Sequence, residues 1–109
     1  MQVIAGAGQF SPDEQGSASW LEQLRVPDLS VGTYSIPAGG SDDQEPHTED
    51  EIYLVTAGRA VLEAGGSTAA VGPGSVIYVP AGEVHRFTGI TEDLAAVVVF
   101  APAEYSKQH

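Results

Sequence analysis

The chain has no cysteine, which excludes disulfides and thiolate ligands and leaves any metal to nitrogen and oxygen donors. It is nearly as poor in positive charge: 4 Lys and Arg stand against 15 Asp and Glu, a formal net charge of −11. Such a chain repels phosphate backbones and anionic membrane surfaces, so neither nucleic acid nor a membrane is expected as a partner. Hydrophobic runs long enough to cross a bilayer are also missing, the longest apolar stretch being LAAVVVFAPA from Leu94. The opening residues MQVIAGAGQF carry no basic region ahead of an apolar core, so a cytoplasmic location is expected. Helical period is weak throughout. Only SASWLEQLRV, before Pro27, offers one: Ser17 or Ser19 would cap a short helix, while Trp20, Leu24 and Val26 suit an edge strand equally.

What is present is a series of short apolar or alternating runs separated by Gly, Pro, Asp and Ser, the pattern of an all-β sandwich or barrel. The expected strands are Leu29–Ile36, Glu51–Ala57, Arg59–Ala64, Thr68–Val71, Ser75–Val79, Val84–Thr88 and Leu94–Ala101. Thirteen glycines and seven prolines fall mostly between them, which fits tight corners. At 109 residues the expectation is one domain over 1–109, with an N-terminal segment at 1–16 and a frayed tail at 106–109. Sheet edges in so small a structure need covering, so a closed barrel and a homodimer are expected.

The chemistry concentrates in EPHTEDEIYLVTAG, Glu45 to Gly58. An extended period of two puts Glu45, His47, Glu49 and Glu51 on one face, continued by Tyr53 and Val55. A second imidazole, His85, follows the bend PAGEVH, where Pro80 and Gly82 can return it over the first segment. Two imidazoles and a carboxylate would then converge, a donor set suited to Fe, Mn, Zn, Ni or Co. Tyr53 and Phe87 each lie two residues from one of these groups and are candidate pocket walls, with Tyr78 as a third aromatic. Glu45 or Glu49 would serve as a proton acceptor beside a metal.

The stretch Gly39 to Gly58 resembles the first motif of the cupin superfamily: Gly, then His, any residue, His, three residues, Glu, six residues, Gly. Counted back from Gly58, Glu51 falls on the motif's Glu and His47 on its second His, while Glu45 stands where the first His belongs. Gly74 to Gly89 is similar to the second motif through Gly74, Pro80, Gly82 and His85, with Gly89 in place of the closing Asn. The string DDQEPHTEDEIYLVTAGRA also looks like a subgroup of small bacterial cupins without an assigned reaction.

The resemblance implies a single cupin-type jelly-roll β-barrel holding one divalent metal on His47, Glu51 and His85. For the fourth place Glu45, Gln44 and water stand open. It implies either an enzyme of dioxygenase or isomerase type acting on a small oxygenated metabolite, or a module that only binds or senses a small ligand. The fold alone does not decide between them.

Overall fold

From Asp50 to Ala64 the sequence DEIYLVTAGRAVLEA alternates apolar and polar side chains and is rich in β-branched and aromatic residues. In the computed structural model, which describes residues 1–44 and 46–106, it forms one continuous strand. The elements in chain order are β1 (Ser19–Val26), β2 (Leu29–Ile36), β3 (Asp50–Ala64), β4 (Ser67–Val71), β5 (Val76–Val79) and β6 (His85–Ala101). Among the described residues no helix forms. The segment left open between helix and strand is β1, paired antiparallel with β2.

The strands join in the order β1-β2-β6-β3-β4, with β5 added to β3. The two long strands β3 and β6 run antiparallel from Asp50↔Ala101 to Ala64↔His85 and form the spine. Two pairs of short strands had been expected where these continuous ones lie. The breaks expected near Gly58 and after Thr88 are irregularities inside strands rather than turns between them: register shifts lie between Val55 and Val61. Their effect is visible in burial. On β3 the inward residues are Glu51, Tyr53 and Val55 before the bulges, and Ala60 and Leu62 after them. An extra residue in a strand reverses which parity faces the core. Gly58 sits at the change with φ of 86°, and a Cβ there would lie 2.3 Å from the Asp93 carbonyl oxygen.

One apolar core unites both ends of the spine, including Ile36, Val55, Leu62, Phe87, Leu94, Val98 and Phe100. Burying side chains of this size contributes roughly 1.5–3 kcal/mol each. The jelly-roll arrangement is all-β as expected, but its closure differs. Among the described residues no ladder joins β1, β4 and β5 to one another. The sheet wraps a shared core by side-chain packing instead of completing a hydrogen-bonded ring.

Both chain ends are tied down. In the N-terminal segment the Gly8 amide donates to Thr33 Oγ1 at 2.9 Å and the Ser11 amide to Ser35 Oγ at 2.9 Å. After β6, the Glu104 amide donates to the buried Ser30 Oγ at 2.8 Å, and Arg25 Nη2 donates to the Glu104 carbonyl at 2.8 Å. Of the tail expected to fray, Ser106 closes a turn by donating to the Ala103 carbonyl at 3.0 Å, and 107–109 lie outside the described residues. No helix in the described residues is long and apolar enough to cross a membrane.

Candidate metal centre

Three elements bring the site together. Glu51 and Tyr53 point inward from the start of β3, where alternation puts them on the buried face. His85 opens β6 directly after the bend at Pro80–Gly82, and that bend is fastened to the preceding loop. The Gly82 amide donates to the His47 carbonyl at 2.8 Å, and the Ala81 amide to Asp50 Oδ1 at 2.8 Å. The loop before β3 supplies Gln44 and His47, and the segment after β6 supplies Glu104 and Tyr105.

His47, Glu51 and His85 converge so that one donor atom from each lies within 4.8 Å of the others. Glu51 Oε1 is 2.8 Å from His85 Nε2, with both side chains almost fully buried. The contact has the distance of a hydrogen bond without its angle: neither Glu51 oxygen has a hydrogen-bond partner, nor does His47 Nδ1. The other face of His85 explains the misfit. Its Nδ1 lies 2.8 Å from the Glu83 carbonyl, which accepts only from an N–H, so a neutral ring presents the Nε2 lone pair to the carboxylate. Two lone pairs at that distance repel unless a proton or a cation lies between them.

A metal with bonds of about 2.0–2.2 Å would set neighbouring donors roughly 3 Å apart, near the observed 2.8 Å. A carboxylate with no hydrogen bond and almost no exposure is otherwise expensive to bury. The backbone carbonyl behind His85 is the kind of support that fixes the tautomer of a ligating imidazole. The three residues therefore fit a divalent metal.

The electrostatics of the metal-free site are uneven. Burial works against a charged His85, but the Glu51 carboxylate and the Glu83 carbonyl outweigh it and hold His85 above the usual imidazole range. His47 moves the other way, because burial is only partly offset by Glu51. Burial also raises Glu104, whose Oε2 lies 3.4 Å from His47 Nδ1. Tyr53 is raised well above its ordinary value, by burial first and then by Glu51.

Beside these groups is a cavity of about 130 Å³, whose aromatic walls are Trp20, Tyr34, Tyr53, Phe100 and Tyr105. It is smaller than the roughly 300–1,000 Å³ of pockets for drug-sized molecules. A broader open groove of about 390 Å³ beside the β3–β4 hairpin includes His85 in its wall, but both ring nitrogens of His85 are engaged with Glu83, Glu51 and Tyr53.

Of the aromatics expected at the pocket, Tyr53 is there, its hydroxyl 3.0 Å from His85 Nε2. Phe87 is buried behind it, edge-on at 5.1 Å between centroids, and does not line the cavity. Tyr78 lies on the outer surface: it pairs with Ile52, the outward neighbour of Glu51, and is 60% exposed. Glu49 is buried, and its carboxylate accepts from the Tyr105 amide at 2.7 Å and from Thr48 Oγ1, so it anchors the C-terminal segment instead of facing the cavity. Glu45 lies outside the described residues. Glu104 and Tyr105 had not been read as site residues, because they follow the last strand without any motif.

With this geometry in place, the comparisons are decisive for family. Residues 32–102 match the model of the cupin domain. The chain belongs to the cupin family. An uncharacterized protein of Streptomyces coelicolor is 49% identical over 86 residues, covering 79% of this chain and 82% of that one. A double-stranded β-helix protein from Klebsiella pneumoniae superposes with a TM-score of 0.79 at 19% identity, over 94% of this cupin and 91% of that chain. KdgF from a Halomonas species gives 0.73 at 21%, over 86% of each chain. DMSP lyase DddQ from Ruegeria pomeroyi gives 0.73 at 20%, over 92% of this chain and 54% of that one. At these identities the structural likenesses establish the fold alone.

Proposed function

We propose that this cupin binds one divalent metal ion through His47, Glu51 and His85 and uses it to hold and convert a small oxygen-bearing metabolite by dioxygenase- or isomerase-type chemistry. The observation that carries the reading is the Glu51 carboxylate: buried, 2.8 Å from His85 Nε2 and within reach of a His47 nitrogen, so that a proton or a cation has to lie among them. Fe, Mn, Zn, Ni and Co all accept such a nitrogen and oxygen set. Bound there, the metal would supply a Lewis acid beside the cavity. The chain's own groups do the rest. Trp20, Phe100 and Tyr105 wall the ligand, Tyr53 offers a hydroxyl, and Glu104, which also lines the cavity, offers a carboxyl that can take a proton. In support of turnover, DMSP lyase DddQ, which shares the fold, is named a lyase.

The test is metal analysis of protein purified without an affinity tag, followed by oxygen uptake and product analysis with small catechols, enols and keto acids. One metal per chain, lost in His47→Ala and His85→Ala, with conversion of one substrate, is expected. Stoichiometric metal retained by both variants would overturn the site.

A second reading has its own support. Glu104 and Tyr105 line the cavity from a segment fastened to Ser30, Arg25 and Glu49, which favours a rigid wall that retains a ligand over one that exchanges it. Tight binding without turnover under any of the metals would select the non-catalytic binding module.

The reading also keeps a cytoplasmic homodimer. Ile52, Leu54, Val76 and Tyr78 form an uncharged, exposed patch on the outer face of β3 and β5, in a chain otherwise strongly acidic. Light scattering should give twice the chain mass, falling to one chain in Tyr78→Lys.

A further inference from the structure

We infer that Gln44 is the fourth donor to the metal through its amide oxygen, and that Asp42 is the positioning residue that turns that oxygen inward. The inference rests on the metal reading above, and the argument starts from Asp42. Asp42 is almost completely buried and accepts four hydrogen bonds. Its Oδ1 takes the Tyr34 hydroxyl at 2.6 Å and the Gln44 amide N–H at 3.3 Å. Its Oδ2 takes the Phe87 N–H at 2.8 Å and the Gln44 Nε2 at 3.0 Å. A carboxylate with these four donors around it can only accept. The two ends of a glutamine amide look alike in shape, so their assignment depends on such partners.

Here the partners leave no choice. Nε2 donates to the Asp42 carboxylate, while the Tyr53 hydroxyl, 3.0 Å from Nε2 and 3.3 Å from Oε1, suits either end of the amide, so Asp42 decides. Turning the amide over would set oxygen against the carboxylate. Gln44 Oε1 is therefore the atom that faces the site, 3.0 Å from His47 Nε2. That spacing again matches the roughly 3 Å between adjacent donors on one metal. In the metal-free protein Nε2–H of His47 donates to this oxygen. To hold a metal, both atoms would offer lone pairs to it, and the His47 proton would sit on Nδ1, which faces Glu104 Oε2 at 3.4 Å.

The arrangement answers a question the motif leaves open. The position where the first His of the motif belongs holds Glu45, whereas the structure puts a neutral oxygen beside His47 from the residue before it.

The test exploits the symmetry of a carboxylate. Asp42→Asn puts an NH2 where a donor now points, so Gln44 can turn over and lose its oxygen from the site. Glu at 44 has oxygen at both ends and needs no orientation. Co(II) titrations, read by visible absorption and by heat, are compared across four variants. Asp42→Asn is expected to weaken binding about ten- to a hundredfold, the range for lost supporting contacts. The double variant Asp42→Asn with Gln44→Glu should return within about threefold of the parent, and Glu45→Ala should stay within that range. His47→Ala should abolish binding.

Circular dichroism and melting of each metal-free variant show whether it folds. A role for Asp42 in folding alone predicts that the double variant stays as weak as Asp42→Asn, and that result overturns the inference. Parent affinity in Asp42→Asn, or a loss in Glu45→Ala equal to that expected of Asp42→Asn, overturns it as well while leaving the three-residue site standing. A parent that binds no more Co(II) than His47→Ala overturns both. In metal-free protein, NMR contacts from the Gln44 side-chain NH2 to the His47 ring report the orientation without any metal, because only the end of the amide that holds Oε1 faces that ring. Their appearance in Asp42→Asn is expected, and their absence there contradicts the positioning role.

Discussion

The two halves of β3 do opposite work on either side of Gly58. Before it, the inward positions include Glu51 and Tyr53, which line the cavity beside the two imidazoles; after it they are Ala60 and Leu62, which pack with Val71 and Phe87. One strand thus serves a site that needs buried polar groups and a core that excludes them. The division implies that stability and metal binding can be damaged separately, and substitutions in each half test this.

The largest effect is expected in the dry half. Leu62→Ala should destabilise the protein by about 2–5 kcal/mol, seen in urea or thermal unfolding, through lost burial and a residual cavity. Metal bound per folded molecule should not change. If it falls in step with stability, the two halves are not independent.

His47→Ala tests the wet half. In the parent, metal at a hundred times its dissociation constant should stabilise by about 2.7 kcal/mol. The variant should unfold at the same temperature with and without metal, because the ligand set has lost an imidazole. A retained metal-dependent rise would move the site elsewhere.

A smaller effect is expected where the segment after β6 lines the cavity. Ser30→Ala leaves the buried Glu104 amide without its acceptor, a loss of roughly 1–3 kcal/mol. Hydrogen exchange should quicken at Glu104 and Tyr105, with metal affinity within threefold of the parent. Unchanged exchange would mean that the strap is held by other contacts.

Within the wet half the two imidazoles offer a finer comparison by pH. His85 is held above about 6.5, so its contribution to stability is complete below that pH and fades as pH rises through its folded value. His47 is held below, so it destabilises progressively as pH falls from about 6.5 to its lower folded value. Metal has to displace the His85 proton, and affinity should climb with pH up to the raised value and then level. NMR titration of the metal-free protein should give midpoints on opposite sides of 6.5. Midpoints on the same side would remove the Glu51 contact from the account.

How much of this was legible beforehand follows the same division. Alternation and turn residues announce β2, β4 and β5, and the motif spacing announces His47, Glu51 and His85. The bulges were hidden, because Gly58 in a strand and Gly58 in a turn look the same in sequence. Tyr78 was read as a pocket wall from its aromatic character, yet register against Ile52 turns it outward. Glu104 reaches His47 across 57 positions through the path of β6, and no local period encodes that. For the fourth place Gln44, Glu45 and water read alike in sequence, because the hydrogen bond that orients the Gln44 amide against Asp42 leaves no motif.

The most direct test of the central claim is anomalous diffraction, at the absorption edge of the metal found in the untagged protein, from crystals of that protein. The account predicts one peak per chain, about 2.0–2.2 Å from nitrogens of His47 and His85 and an oxygen of Glu51. A peak on other residues, or no peak with Glu51 still lying unpaired against His85, would contradict it.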